Sequence, residues 1–337
     1  MKFGLKKYVF PVIFAGISLF FISCATNSPF NAYDPFKPFP NMQTHEYQHA
    51  FLYEMGNLSA DTLIISVEGS GWGSTLGRRR IGFWLYTGMT SQVIQPLMKD
   101  YTLILPEKWK RDPQKPAGIN SGVYYEDLDL RLIYTLENLV ENYAESINLY
   151  LSNNQYGSIF LVGASEGAII LPALYEKISD KEKIKGMVAY AGGGLSMYES
   201  MTILSTAKTT PEVYKKMYAY VIENYDKGIE VWSNSIGVDK YGTVLLWLTS
   251  LLEFRSFDYY KNINIPVLFM HGEKDYNVAV DSTRYVQENL PEKPFEYIYY
   301  KNLAHSPNPL ALNYTFQFHR IRNDMAKWIH KIQNTQL

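Results

Sequence analysis

The sequence has a single cysteine in 337 residues. One thiol cannot close an intrachain disulfide or build a cysteine-rich zinc site. The chain also lacks an excess of either charge. Its 32 basic residues face 33 acidic ones, for a net charge of −1, which leaves no electrostatic footprint for a nucleic-acid binder. Charged residues make up only 19% and hydrophobic ones 47%, a balance that excludes wholesale disorder. The apolar run Tyr8–Ile22 is 15 residues long, short of the roughly 20 needed to span a membrane. Internal repeats and low-complexity tracts are absent. Aromatics are plentiful at 15%, with 28 tyrosines.

The first residues read as an address. Lys2, Lys6 and Lys7 precede the apolar run, and no acidic residue occurs before Cys24. A basic start, a short apolar stretch and a small residue at its end describe a secretory signal. Phe21-Ile22-Ser23-Cys24 resembles the lipobox of bacterial lipoproteins, with Phe21 where an aliphatic residue is usual. The resemblance implies cleavage before Cys24, acyl chains on that residue and a place on the bacterial cell envelope, at the periplasmic face or the cell surface. Several chains hold where one would be marginal. Losing residues 1–23 removes three lysines and leaves 29 basic against 33 acidic residues, a charge of −4. Residues 24–42 carry Pro29, Pro35, Pro38 and Pro40 and read as a stiff tether.

The body begins at residue 43. Gln43–Met55 alternates with a period of two, with Tyr47, His49, Phe51, Tyr53 and Met55 on one face, which predicts a strand ending at Gly56-Asn57. Thr62–Val67, Tyr101–Leu105, Ser158–Val162, Lys185–Tyr190, Ile265–Met270 and Phe295–Tyr300 are further apolar strand candidates. Between them lie helical patterns over Glu126–Leu151, Glu166–Tyr175, Thr283–Asn289 and Tyr314–Ile332. Strands alternating with helices predict a mostly parallel sheet flanked by helices. Residues 195–262 interrupt that rhythm with helical patterns only, such as Pro211–Tyr225 capped by Thr210. They read either as extra core or as a helical lid lining an acyl or aromatic pocket.

The chemistry centres on Gly163-Ala164-Ser165-Glu166-Gly167, a G-x-S-x-G between a strand and a helix. A serine on so sharp a turn needs small neighbours, which Gly163 and Gly167 supply. Two other strands end in matching chemistry: Ile265–Met270 leads through His271-Gly272 to Asp275, and Phe295–Tyr300 leads to His305. Glu273 is an alternative acid and His271 an alternative histidine. The order Ser165, Asp275, His305, each just past a strand end, resembles the α/β-hydrolase superfamily, over about residues 43–335.

That resemblance implies an α/β-hydrolase core over 43–194 and 263–337, with the 195–262 lid inserted between the sixth and seventh strands. It implies a serine hydrolase acting on a small-molecule or peptide acyl substrate, with no metal and no cofactor. Ser165 attacks the acyl carbon, His305 relays the proton and Asp275 steadies the imidazolium. The oxyanion falls to the backbone N–H of Glu166 and to a second donor in Glu68-Gly69-Ser70-Gly71, with Ser70 first and Gly71 next. An ester, an amide and a peptide bond are all open to the same triad.

Two other features compete. His45-Glu46-Tyr47-Gln48-His49 is H-E-x-x-H, with Glu68 nineteen residues beyond, the pattern of a zinc metallopeptidase. That motif requires a helix, whereas these residues alternate as a strand. Arg78-Arg79-Arg80 either binds a substrate carboxylate or phosphate or is a solvated face.

Overall fold

The computed structural model describes residues 42–47, 50–69, 79–81, 84–86, 95–108, 117–118, 135–204, 245–305 and 314–335. Residues 1–41, with the signal, Cys24 and most of the tether, lie outside them, as do His49, Ser70, Gly71, Arg78, Thr210 and the helix expected over Pro211–Tyr225.

Eight strands form one sheet: β1 (Gln43–Glu46), β2 (Phe51–Gly56), β3 (Thr62–Val67), β4 (Thr102–Pro106), β5 (Ser158–Ala164), β6 (Ile184–Tyr190), β7 (Val267–Gly272) and β8 (Phe295–Tyr300). Their spatial order is β1-β2-β4-β3-β5-β6-β7-β8. β2 runs antiparallel to both β1 and β4, and every other pairing is parallel. Arg79–Ile81, Trp84–Tyr86 and Ala117–Gly118 make a separate three-stranded sheet, so Arg79 and Arg80 belong to a short strand.

The stretch expected as one strand over Gln43–Met55 is a hairpin. Tyr47 N–H donates to Ala50 O and closes the reversal, so Gln43 pairs with Glu54 and Glu46 with Phe51. The turn sequence carries neither glycine nor proline, the residues that usually punctuate such a reversal. The alternation therefore runs on through it.

Seven α-helices are described: α1 (Leu136–Asn153), α2 (Glu166–Lys177), α3 (Met197–Leu204), α4 (Leu245–Glu253), α5 (Ser256–Tyr260), α6 (Val280–Asn289) and α7 (Tyr314–Thr335). α1 starts ten residues later than its pattern suggested because Thr135 caps it, its hydroxyl accepting from Asn138 N–H at 3.1 Å. Residues 126–134 lie outside the described set.

The central strands β3 and β5 are buried at nearly every position and apolar at all but Thr62, Ser66 and Ser158, because both faces are covered. Successive side chains point to opposite sides. Leu63, Ile65, Ile159 and Leu161 join a core with α1, α2 and the α4–α5 segment, while Ile64, Phe160 and Val162 join a second core under α7. Each fully buried aliphatic or phenyl side chain contributes about 1.5–3 kcal/mol.

The segment 195–262 joins β6 to β7, the sixth and seventh strands of the sheet. Its described ends are core. Trp247, Leu251, Leu252, Phe254, Phe257 and Tyr260 are buried in the first cluster. Ser256 Oγ donates to Ile169 O at 2.7 Å, and Ser250 Oγ accepts from Leu136 N–H at 3.0 Å.

Candidate active site

β5 delivers Ser165 and α2 begins immediately after it. Ser165 has φ 54° and ψ −120°, a left-handed conformation costly for a residue with a side chain. It is held there by Ser165 N–H donating to Tyr190 O and Ser165 O accepting from Ile169 N–H. The flanking glycines allow the turn. A Cβ on Gly163 would lie 2.6 Å from Gly167 O, and one on Gly167 would lie 2.3 Å from Val67 O.

The structure brings the three expected side chains together. Ser165 Oγ lies 2.9 Å from His305 Nε2, and His305 Nδ1 lies 2.8 Å from Asp275 Oδ2. A carboxylate only accepts, so Nδ1 carries the proton and Nε2 is left to accept from the serine. All three are buried. Tyr190, at the end of β6, donates its phenol to His305 O at 3.1 Å and fixes the histidine backbone.

Asp275 Oδ1 accepts from the N–H groups of Asn277 and Val278 at 2.8 and 2.9 Å. Burial by itself would raise its pKa. His305 and His271 outweigh burial and hold the carboxyl well below its ordinary value of 3.8. The alternative acid, Glu273, is exposed and reaches Arg284 at 3.4 Å. The alternative histidine, His271, sits behind Asp275, with its Nε2 3.2 Å from Oδ2.

The oxyanion region is described in part. Glu166 opens α2, where N–H groups have no intrahelical acceptor. Its carboxylate is buried between Lys108 Nζ and Trp247 Nε1. Ser70 and Gly71 lie outside the described residues. Gly69 stands directly against Ser165: a Cβ there would lie 3.1 Å from Ser165 Cβ and 3.2 Å from Ala164 O. Lys108 and Trp247 escaped the sequence analysis. They are 58 and 81 residues from Glu166, and no local pattern marks either. The acids around this corner register on Tyr143, whose phenol is pushed upward by burial and then by the charges of Glu166, Glu107 and Glu68.

The competing zinc motif is dispersed. His45 lies on edge strand β1, its Nε2 2.8 Å from Glu54 Oε2 and its ring edge-on to Tyr150. Glu68 follows β3, three inter-strand spacings away in the sheet order, a lateral distance of about 14 Å. One ion cannot bridge such a gap.

No family model matches the chain, and no curated protein matches it in sequence. Solved structures match the fold. An acylaminoacyl peptidase from Pyrococcus horikoshii superposes with a TM-score of 0.53 at 14% identity, over 86% of this chain and 41% of that one. A thermophilic esterase from Thermogutta terrifontis gives 0.51 at 14% identity, over 86% and 99%. An esterase from Pyrococcus furiosus gives 0.51 at 12% identity, over 91% and 97%. The chain thus spans about two fifths of the peptidase and nearly the whole of each esterase. With the mostly parallel sheet and the strand-ending sharp turn, these likenesses define the α/β-hydrolase fold.

Proposed function

We propose that the protein is a serine hydrolase that cleaves a carboxylic ester or a related acyl compound. The observation that carries this reading is the unbroken chain Ser165 Oγ, His305 Nε2, His305 Nδ1, Asp275 Oδ2, with links of 2.9 and 2.8 Å, on a serine at φ 54°. In the proposed reaction Ser165 Oγ attacks the acyl carbon while its proton passes to His305 Nε2. The imidazolium, steadied by Asp275, returns that proton to the leaving group. Water then repeats the sequence on the acyl-enzyme, releasing the acid and restoring Ser165. The Glu166 N–H holds the oxyanion, with a second donor from the loop that begins at Gly69. No metal or cofactor takes part.

A fluorophosphonate probe tests the reading. The purified protein should be labelled, and Ser165→Ala should abolish labelling. An unlabelled wild type, or an alanine variant labelled equally, defeats the assignment. A peptidase or amidase using the same triad is the second reading, supported by the acylaminoacyl peptidase likeness. Parallel assays on p-nitrophenyl esters and on aminoacyl p-nitroanilides separate the two.

The proposal also sets the enzyme on a bacterial envelope membrane through acyl chains on Cys24, behind the proline-rich tether. Globomycin should then accumulate the unprocessed precursor, and unchanged processing would remove this part of the reading. Among the described residues no helix is long and apolar enough to cross a membrane.

A further inference from the structure

His271 is the penultimate residue of β7, just before Gly272, and is buried to 1% exposure. The triad as written has no use for it. Its ring is nevertheless fully engaged. Nδ1 lies 2.8 Å from Thr283 Oγ1 on α6, and Nε2 faces two oxygens, Val278 O at 3.0 Å and Asp275 Oδ2 at 3.2 Å. Both of those oxygens only accept. Nε2 therefore carries a proton in every protonation state of the ring. The Thr283 hydroxyl, which also lies 3.3 Å from Gly192 O, can donate to Nδ1 or accept from it.

The oxygen that receives this N–H is the one that receives His305 Nδ1–H. We infer that His271 is a fourth member of the site, a positioning residue that acts through Asp275. The inference rests on the reading of Ser165, His305 and Asp275 as a triad. The carboxylate is held from both ends. Two backbone N–H groups fix Oδ1, and two imidazoles share Oδ2. Rotation of the carboxylate that would drop His305 also breaks the contact with His271. His271 moreover places the positive end of an N–H dipole on an anion buried away from water, where such an interaction is strongest.

The sign of the electrostatic effect follows. Removing that donor leaves the Asp275 charge less compensated, so His305 feels a more negative field and holds its proton to higher pH. The conclusion is the same whether His271 is neutral or cationic. The groups facing His271 are Asp275 and, beyond it, His305. Thr283 comes from α6, and Tyr190 on β6 bonds to the His305 carbonyl. Its register neighbour on β8, Tyr299, bonds outward to Gln287 at 2.8 Å. Arg284 of α6 turns outward to Asp281 and Glu273.

The test uses the full chain and three variants. His271→Phe fills the space without a donor. His271→Asn keeps a polar group near Thr283 but is too short to reach Asp275. His271→Gln carries its amide N–H to about the Nε2 position. Two readouts are taken: the pH profile of kcat/KM for p-nitrophenyl acetate, and the His305 imidazole titration by long-range proton–nitrogen NMR, which needs no turnover. One pH unit in the His305 titration corresponds to about a tenfold change in its proton affinity.

In the Asn and Phe variants the acid limb and the His305 titration should both move up by about one pH unit, with a roughly tenfold loss of kcat/KM on the plateau. The Gln variant should restore both. Wild-type behaviour in the Asn and Phe variants overturns the inference. Equal shifts in Asn and Gln make His271 a packing residue and also overturn it. If the Phe variant does not fold, the Asn and Gln pair decides. Failure of Ser165→Ala to abolish hydrolysis would instead defeat the triad reading, and the NMR titration would still show whether His271 governs His305.

Discussion

At the scale of single residues, the site is a set of close approaches. Gly69 tolerates nothing larger without crowding Ser165 Cβ. Gly69→Ala should therefore cut fluorophosphonate labelling about tenfold or more while the thermal midpoint moves little, because the clash falls on the nucleophile and not on the core. Asp275 gives a different outcome. Asp275→Asn should lower kcat on the order of 10⁴-fold, the usual result of placing the imidazole in the wrong tautomer. It should also change acid unfolding. The Asp275 carboxyl is held below its ordinary 3.8, so its contribution to stability is complete above that value and is lost as pH falls toward the folded-state value. Denaturant titrations below pH 4 should show a shallower loss in the asparagine variant than in the wild type.

The meeting of Ser165, Asp275 and His305 was legible because each follows a strand, and strand ends can be read from local sequence. The partners of Glu166 were not, since Lys108 and Trp247 reach it only through the tertiary fold. His271 was visible as a rival to His305. Only geometry showed that both imidazoles meet the same carboxylate.

At the scale of elements, α3–α5 are tied into the body by side chains that also shape the site. Ser196 and Glu199 cap α3 reciprocally, Ser196 N–H donating to Glu199 Oε2 at 2.7 Å and Glu199 N–H to Ser196 Oγ at 3.2 Å. Glu199 then holds Arg255, just before α5, at 3.2 Å. Trp247 of α4 donates to Glu166, whose other oxygen meets Lys108. Breaking one side of a buried ion pair leaves an uncompensated charge, at a cost of about 3–5 kcal/mol. Lys108→Met should lower unfolding free energy by about that amount in urea titrations. Adding Glu166→Gln should recover part of it, because the buried carboxylate charge is then gone.

Strand and helix identities came largely from periodicity. The errors fell where tertiary structure overrode or hid a boundary: the hairpin turn without glycine or proline, and the cap at Thr135. The ends of residues 195–262 read equally well as lid or core from their aromatic composition. Burial of Trp247, Phe257 and Tyr260 makes them core.

At the scale of the whole molecule, among the described residues one face of the sheet packs on α1, α2 and the α4–α5 segment, and the other on α7. α7 is clamped near its C-terminal end. His330 Nδ1 and Gln333 Oε1 both meet Tyr101 OH, at 2.6 and 2.8 Å, and Gln333 Nε2 donates to Thr62 Oγ1 at 2.9 Å. Burial and then the charge of Asp100 push the Tyr101 phenol up to about 12, so this clamp keeps its donor across the physiological range.

The edge hairpin has a mechanical meaning. Residue 42 leads straight into β1, which is held by four residue pairs to β2 and by the His45–Glu54 contact. Ser165 lies at the end of β5, with β2, β4 and β3 between that strand and β1. A load applied at residue 42 is therefore borne first by the short edge strand. In single-molecule pulling from that point, β1 should detach as a separate low-force event, with the remaining seven strands intact. Glu54→Gln should lower that first force without changing the second. The hairpin would then act as a mechanical fuse between a load on residue 42 and the strand that carries Ser165.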